Sequence, residues 1–127
     1  MASSYSSIKE SETIFDLLFN LYSNDSISLP SEVRELKNDV QFKAKRDFPY
    51  FPTPFKETET GAALKGVEGL LAAALADLKQ GGQRSHRNVT IDLEKTTAFL
   101  FQAYMATVGG LGKLDPEVKK MLKGKVD

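Results

Sequence analysis

Apolar residues recur at helical spacing in five stretches of this 127-residue chain, and alternate with polar residues in one. Ile14, Phe15, Leu18, Leu21 and Tyr22 fall on one face of a first helix. Ser7 with Glu10 forms a capping-box pattern for it, and Ser11 is a second start. The helix is expected to run to about Tyr22 and stop at the turn cluster Ser23-Asn24-Asp25-Ser26. The Ser-rich residues 1–7 ahead of it read as disordered. Pro30 opens a second helix, since proline lacks an N–H that a first turn would leave unused. Leu29, Val33, Leu36 and Val40 step by four, three and four along its apolar face. Glu32, Arg34, Glu35, Lys37 and Asp39 cover the other face, which predicts a surface helix of about ten residues.

Residues 43–56 break the pattern. Phe48 to Phe55 holds three prolines and four aromatics, and each proline biases its predecessor toward extended geometry. This predicts a stiff extended connector whose aromatics pack across a surface; the other reading is a strip for a polyproline-binding partner. Residues 58–79 form the strongest helix, with Leu64, Val67, Leu71, Leu75 and Leu78 on one face and alanines and glycines around it. Each interior glycine costs roughly 1 kcal/mol against alanine, so their presence implies elements packed close to the backbone and a central, well-covered helix. Gly81 and Gly82 end it.

Val89, Ile91 and Leu93 then alternate with Thr90 and Asp92, the pattern of a short half-buried strand. A helix with Ala98, Phe99, Phe101, Gln102, Ala103, Met105 and Ala106 follows, broken by Gly109-Gly110-Leu111-Gly112. Asp115-Pro116-Glu117 caps a last helix striped by Val118, Met121 and Leu122. The expected fold is mainly α: one domain over residues 1–127, with about five helices and one short strand. A lone strand makes no sheet. Its partner is either an unrecognised strand, another chain or further sequence.

Composition narrows the function classes. Seventeen basic and seventeen acidic residues cancel, so nothing steers the chain toward nucleic acid or an anionic membrane. No cysteine is present, which removes disulfides, thiolate nucleophiles and cysteine metal sites. Lys65, Glu68 and Asp77 interrupt the most apolar window, 62–78, which therefore does not read as a membrane span. The N-terminus has no apolar export signal, so a cytoplasmic protein is expected and the Asn88-Val89-Thr90 glycosylation pattern is accidental.

The chemistry-bearing residues are few. Gly109–Lys113 lacks both the earlier glycine and the hydroxyl after lysine that a phosphate loop needs, leaving a glycine hinge. His86 lies in the polar loop 83–87, where Arg84 and Arg87 beside it would suit a phosphate-type anion; the alternative is a solvated loop. Glu57, Glu59, Glu68, Asp77, Asp92 and Glu94 are available carboxylates, but no spacing singles out a pair. Glu57 and Glu59 suit a helix start, and Asp92 suits a cap on the next helix. Catalytic and cofactor-binding residues stay unassigned, and no metal site is expected.

The block from Pro52 to Met105, with its Ala/Gly-rich helix, Gly-Gly turn and Val89-Thr90-Ile91-Asp92-Leu93-Glu94 strand-to-helix segment, resembles the family III CoA-transferases (the CaiB/BaiF group). Pro52-Thr53-Pro54-Phe55 and residues 99–120 are similar to the N-terminal part of a fungal branch of that family. The resemblance implies part of an α/β CoA-transferase lobe. It also implies CoA transfer from an acyl-CoA to a carboxylic acid, in metabolism or secondary metabolism, with acyl-CoA as substrate and no covalently bound cofactor. The family's nucleophilic aspartate, in an aromatic-Arg-Pro-Gly context, has no counterpart here; Lys45-Arg46-Asp47-Phe48-Pro49 matches only superficially. The family's CoA-holding Gly-rich regions are absent as well. The expectation is a truncated or split CoA-transferase-like protein that associates with itself or with a partner chain. The rival readings are a helical interaction protein without the chemistry and an unrelated helical binding module.

Overall fold

The structure is a computed structural model that describes residues 5–24, 28–85, 87–112 and 114–123. Among these residues it is mainly α, with five α-helices, a 3-10 turn and four short strands. Two units divide the chain, residues 1–97 and 98–127.

In the first unit, α1 (Ser7–Asn24) buries Phe15 and Phe19, whose rings lie 5.5 Å apart. Phe15 also meets Phe42 edge-on at 5.7 Å. Ser7 and Glu10 do not form the expected capping box. Asp47 accepts the Ile8 N–H at 2.9 Å and Ser6 Oγ accepts the Lys9 N–H at 3.1 Å, while Glu10 pairs with Lys56. The cap is thus partly local, from Ser6 one residue ahead of the expected Ser7, and partly borrowed from Asp47 in a loop distant in sequence. Of the stretch expected to be disordered, residues 1–4 lie outside the described residues; Tyr5, Ser6 and Ser7 are tied by side-chain hydrogen bonds to Glu59, Asp47 and Phe48.

The second helix is shorter than its spacing implied. α2 covers only Ser31–Glu35, followed by a 3-10 turn at Lys37–Asp39 and strand β1 at Val40–Lys43. Val40, counted as a fourth helical position, opens that strand. Val-Gln-Phe-Lys alternates β-formers with polar residues, and pairing with a second strand decides in favour of extended backbone. That second strand is β2 (Val89–Asp92), parallel to β1 with Val40 opposite Val89 and Lys43 opposite Asp92. The lone strand expected from the sequence therefore has a partner within the chain.

Helix α3 (Glu57–Lys79) links the two strands and covers them. A Cβ placed on Gly69 would lie 2.5 Å from Val89 Cγ1, and one on Gly66 would lie 3.0 Å from the Phe15 ring. The glycines are there for close approach, as their cost implied. Which face is covered differs from expectation. The inner face is Ala62, Ala63, Gly66, Leu70, Ala73, Ala74 and Asp77, all buried. Leu64, Leu71, Leu75 and Leu78 are 43–61% exposed. Helix α1 and the strand pair approach closely at Gly66 and Gly69, where a side chain would collide with Phe15 or Val89, and Leu70 is the one leucine of the helix that is fully buried. Gly81 and Gly82, at φ +91° and +78°, close the helix, with the Gly82 N–H donating to Asp77 O at 2.9 Å.

Helix α4 (Leu93–Met105) begins in the first unit with Leu93 fully buried and Asp92 Oδ1 capping the Lys95 N–H at 3.1 Å. In the second unit, the expected glycine hinge is a two-residue β-hairpin. Strands β3 (Thr107–Val108) and β4 (Leu111–Gly112) pair antiparallel around Gly109 and Gly110, whose φ values of +59° and +82° suit the primed turn that matches strand twist. Helix α5 (Pro116–Lys123) is capped as expected, the Glu117 N–H reaching Asp115 Oδ1 at 2.9 Å. Of its apolar stripe Val118 is buried and Met121 is exposed; the side chains of Leu122 and of Tyr22 on α1 lie outside the description. Among the described residues no helix is long and apolar enough to cross a membrane.

Candidate functional site

Because β1 and β2 run parallel, their carboxyl ends, Lys43 and Asp92, open at the same edge of the pair. In α/β architectures ligands bind outside these carboxyl ends. Two segments leave there: the Pro/aromatic loop 44–56 after β1, and the first turn of α4 after β2. Polar side chains bind the two together.

Glu94 is the hub on the α4 side. Its Oε1 accepts the Lys45 N–H at 2.7 Å and the Tyr50 hydroxyl at 2.7 Å, with the Arg46 N–H further off at 3.4 Å. The Tyr50 hydrogen bond, helped by the amides and opposed by burial, brings the Glu94 carboxyl down to about 2. In return, burial and then the Glu94 carboxylate push the Tyr50 phenol upward. Phe48 stacks on Tyr50 at 5.3 Å and Arg46 lies 5.1 Å over Phe48. The loop runs through a series of bends, with Phe48 and Tyr50 stacked on each other and Phe55 largely exposed.

Glu59 is the hub on the α3 side. It is only 3% exposed, and its Oε1 accepts from Tyr5 OH at 3.0 Å and from Ser7 Oγ at 2.6 Å. Ser7 Oγ is also 2.8 Å from Phe48 O, so one hydroxyl proton serves two acceptors. Among the described residues no basic group pairs with Glu59; its place in the first turn of α3 supplies partial compensation from the helix dipole. Burial first, then the Glu59 hydrogen bond and charge, push the Tyr5 phenol up to about 12. Nearby, Thr58 Oγ1 and Thr97 Oγ1 lie 2.9 Å apart. Burial works to raise Asp47, but the Ser6 hydroxyl and the Ile8 and Ser7 amides outweigh it and hold that carboxyl below its ordinary range. Tyr5, Tyr50, Phe51, Phe55 and Glu59 line a cavity of about 230 Å³ between loop and helix.

The other sequence candidates fall elsewhere. Asp77, 7% exposed, accepts from Ser85 Oγ at 2.6 Å and Arg87 Nε at 3.0 Å, and Ser85, then Arg87, hold it below the usual carboxylate range. Arg84 Nη1 reaches Glu35 at 3.2 Å. Both arginines of the loop are thus engaged by carboxylates of the chain itself, and His86 lies outside the described residues. Glu68 pairs with Lys65, and Glu57 is exposed at the start of α3. In the Gly109–Lys113 run the glycines form the hairpin, and Lys113 lies outside the described residues. Asp47 is engaged in capping α1. Among the described residues no group of three or more His, Asp or Glu is arranged to hold a metal ion.

The structure therefore brings Glu59 and Glu94 to one end of the strand pair and leaves Glu68 and Asp77 away from it. Tyr5, Tyr50, Thr58 and Thr97 escaped sequence reasoning. Each gains its role from a residue at least 39 positions distant, which no local spacing encodes. Comparison with protein-family models, with curated proteins and with solved structures finds no match.

Proposed function

We propose that this chain is a CoA-transferase-like protein that takes part in moving CoA between an acyl-CoA and a carboxylic acid, in a cytoplasmic metabolic or secondary-metabolite pathway. The observation that carries the reading is the β1–α3–β2 unit. Parallel strands joined through a helix are the repeating piece of α/β enzyme lobes, and parallel sheets are normally larger and covered on both faces. Here the pair has only two strands among the described residues, so each keeps an outer edge to which further strands can add. The unit supports the resemblance carried by residues 52–105 and suits a lobe completed by additional polypeptide.

No residue is assigned as nucleophile. Asp47 is tied up in a helix cap, and Glu59 and Glu94 are held by hydroxyl and amide donors. CoA binding without turnover by the chain alone is the expected outcome. Saturation-transfer NMR with CoA, run beside mass spectrometry of the chain mixed with a panel of acyl-CoAs and carboxylic acids, tests this. Absence of any CoA contact would overturn the reading.

A helical interaction protein is the second reading, favoured by the exposed leucines of α3. It predicts no CoA contact and a sedimentation coefficient that rises with concentration, and loses that rise in Leu75→Glu.

A further inference from the structure

The cavity at the carboxyl end of the strand pair has a chemistry that the CoA-transfer reading does not use. Glu59 is nine-tenths or more buried, and both of its side-chain hydrogen bonds fall on one oxygen, Oε1. Its other oxygen, Oε2, has no hydrogen-bond partner among the described residues. That oxygen is open to a donor entering from the cavity, and a hydrogen bond to an ionised carboxylate is stronger than one between neutral groups. Tyr5, Tyr50, Phe51 and Phe55 bring four aromatic rings to a lining that Pro49, Thr53, Pro54 and Lys56 complete. Aromatic faces attract cations.

Lys56 is the lining residue whose charge would spoil this arrangement. Its ammonium is engaged by Glu10 and leaves Glu59 unneutralised. The raised Tyr5 phenol reports the same negative field, with Glu59 and Glu10 both contributing after burial. A volume of about 230 Å³ has room for an ammonium on a short alkyl stem.

We propose that this cavity binds a primary alkylammonium, its N–H donating to Glu59 Oε2 and its charge resting among the surrounding aromatic rings. The free oxygen can accept an N–H, which sets a primary ammonium apart from a quaternary one of the same charge. This site stands independently of the CoA-transfer reading.

Titration of the ¹⁵N-labelled chain with n-butylammonium chloride, at constant ionic strength and against tetramethylammonium chloride, tests it. Saturable shifts confined to the amides of Tyr50, Phe51, Phe55 and Glu59 are expected. Tetramethylammonium and Glu59→Gln should each weaken binding by about tenfold, the scale of one charge-assisted hydrogen bond. Phe55 is 72% exposed, so Phe55→Ala keeps the fold and should weaken binding several-fold even if Glu59→Gln does not fold. Linear shifts without saturation, equal binding of the two ammonium ions, or butylammonium binding undiminished in Phe55→Ala would each overturn the proposal.

Discussion

Replacing Gly69 with alanine sets two opposing effects against each other, and the structure decides which wins. In an exposed helix interior the change gains about 1 kcal/mol, since glycine is the weaker helix former by that amount. In α3 the new methyl would stand 2.5 Å from Val89 Cγ1, closer than two carbons can approach. Valine is β-branched and stiff about its first torsion, so the methyl cannot simply swing aside. Val89 also sits opposite Val40 in the strand pair, so relief requires β2 to move off α3. Overpacking of this kind costs about 1–3 kcal/mol. Net destabilisation of about 1 kcal/mol is expected, lowering the urea midpoint by on the order of 0.5–1 M without changing the slope. Circular dichroism at the helix band reads it. The double variant Gly69→Ala/Val89→Ala should recover at least about 1 kcal/mol relative to the sum of the single changes, because the second change removes the colliding methyl. A higher midpoint for Gly69→Ala, or additive single changes, would refute the packing of α3 on β2.

Two further outcomes follow from the same geometry. The Glu94 carboxyl falls from 4.5 to about 2 on folding, so its contribution is present above about pH 4.5 and lost as pH falls through 2. After allowance for solvent screening this is worth about 1–2 kcal/mol; Glu94→Gln should lose it at neutral pH and flatten the stability profile between those two pH values in acid-denaturation curves. Leu70 is fully buried and Leu75 is 54% exposed, so Leu70→Ala should cost about 2–4 kcal/mol and Leu75→Ala under about 1 kcal/mol by denaturant titration. The reverse ranking would contradict the assignment of the inner face of α3.

What the sequence made legible was local. The Ala/Gly-rich helix, its Gly81-Gly82 stop, the Val89–Asp92 strand and the Asp115 cap are written in consecutive residues and stand where expected. The errors arose where tertiary contact overrode pattern. Val40 fits helical spacing from Leu36, yet pairing with Val89 makes it a strand residue. The leucines of α3 are its most apolar residues, yet most of them are exposed, and Val89 and Phe15 come so near the backbone that glycine stands opposite them at 69 and 66. The site was least legible of all. Glu59 was one of six candidate carboxylates, and only folding sets Tyr5, Ser7 and the aromatic loop around it.

The central claim is that β1 and β2 form a parallel pair bridged by α3, since the carboxyl-end site and the α/β-lobe reading both depend on it. Backbone NOEs on the ¹³C,¹⁵N-labelled chain test this most directly. The account predicts inter-strand Hα-to-amide contacts in parallel register between residues 40–43 and 89–92, with Phe42 opposite Ile91. An antiparallel pattern, or β2 amides with no contact to β1, would contradict it.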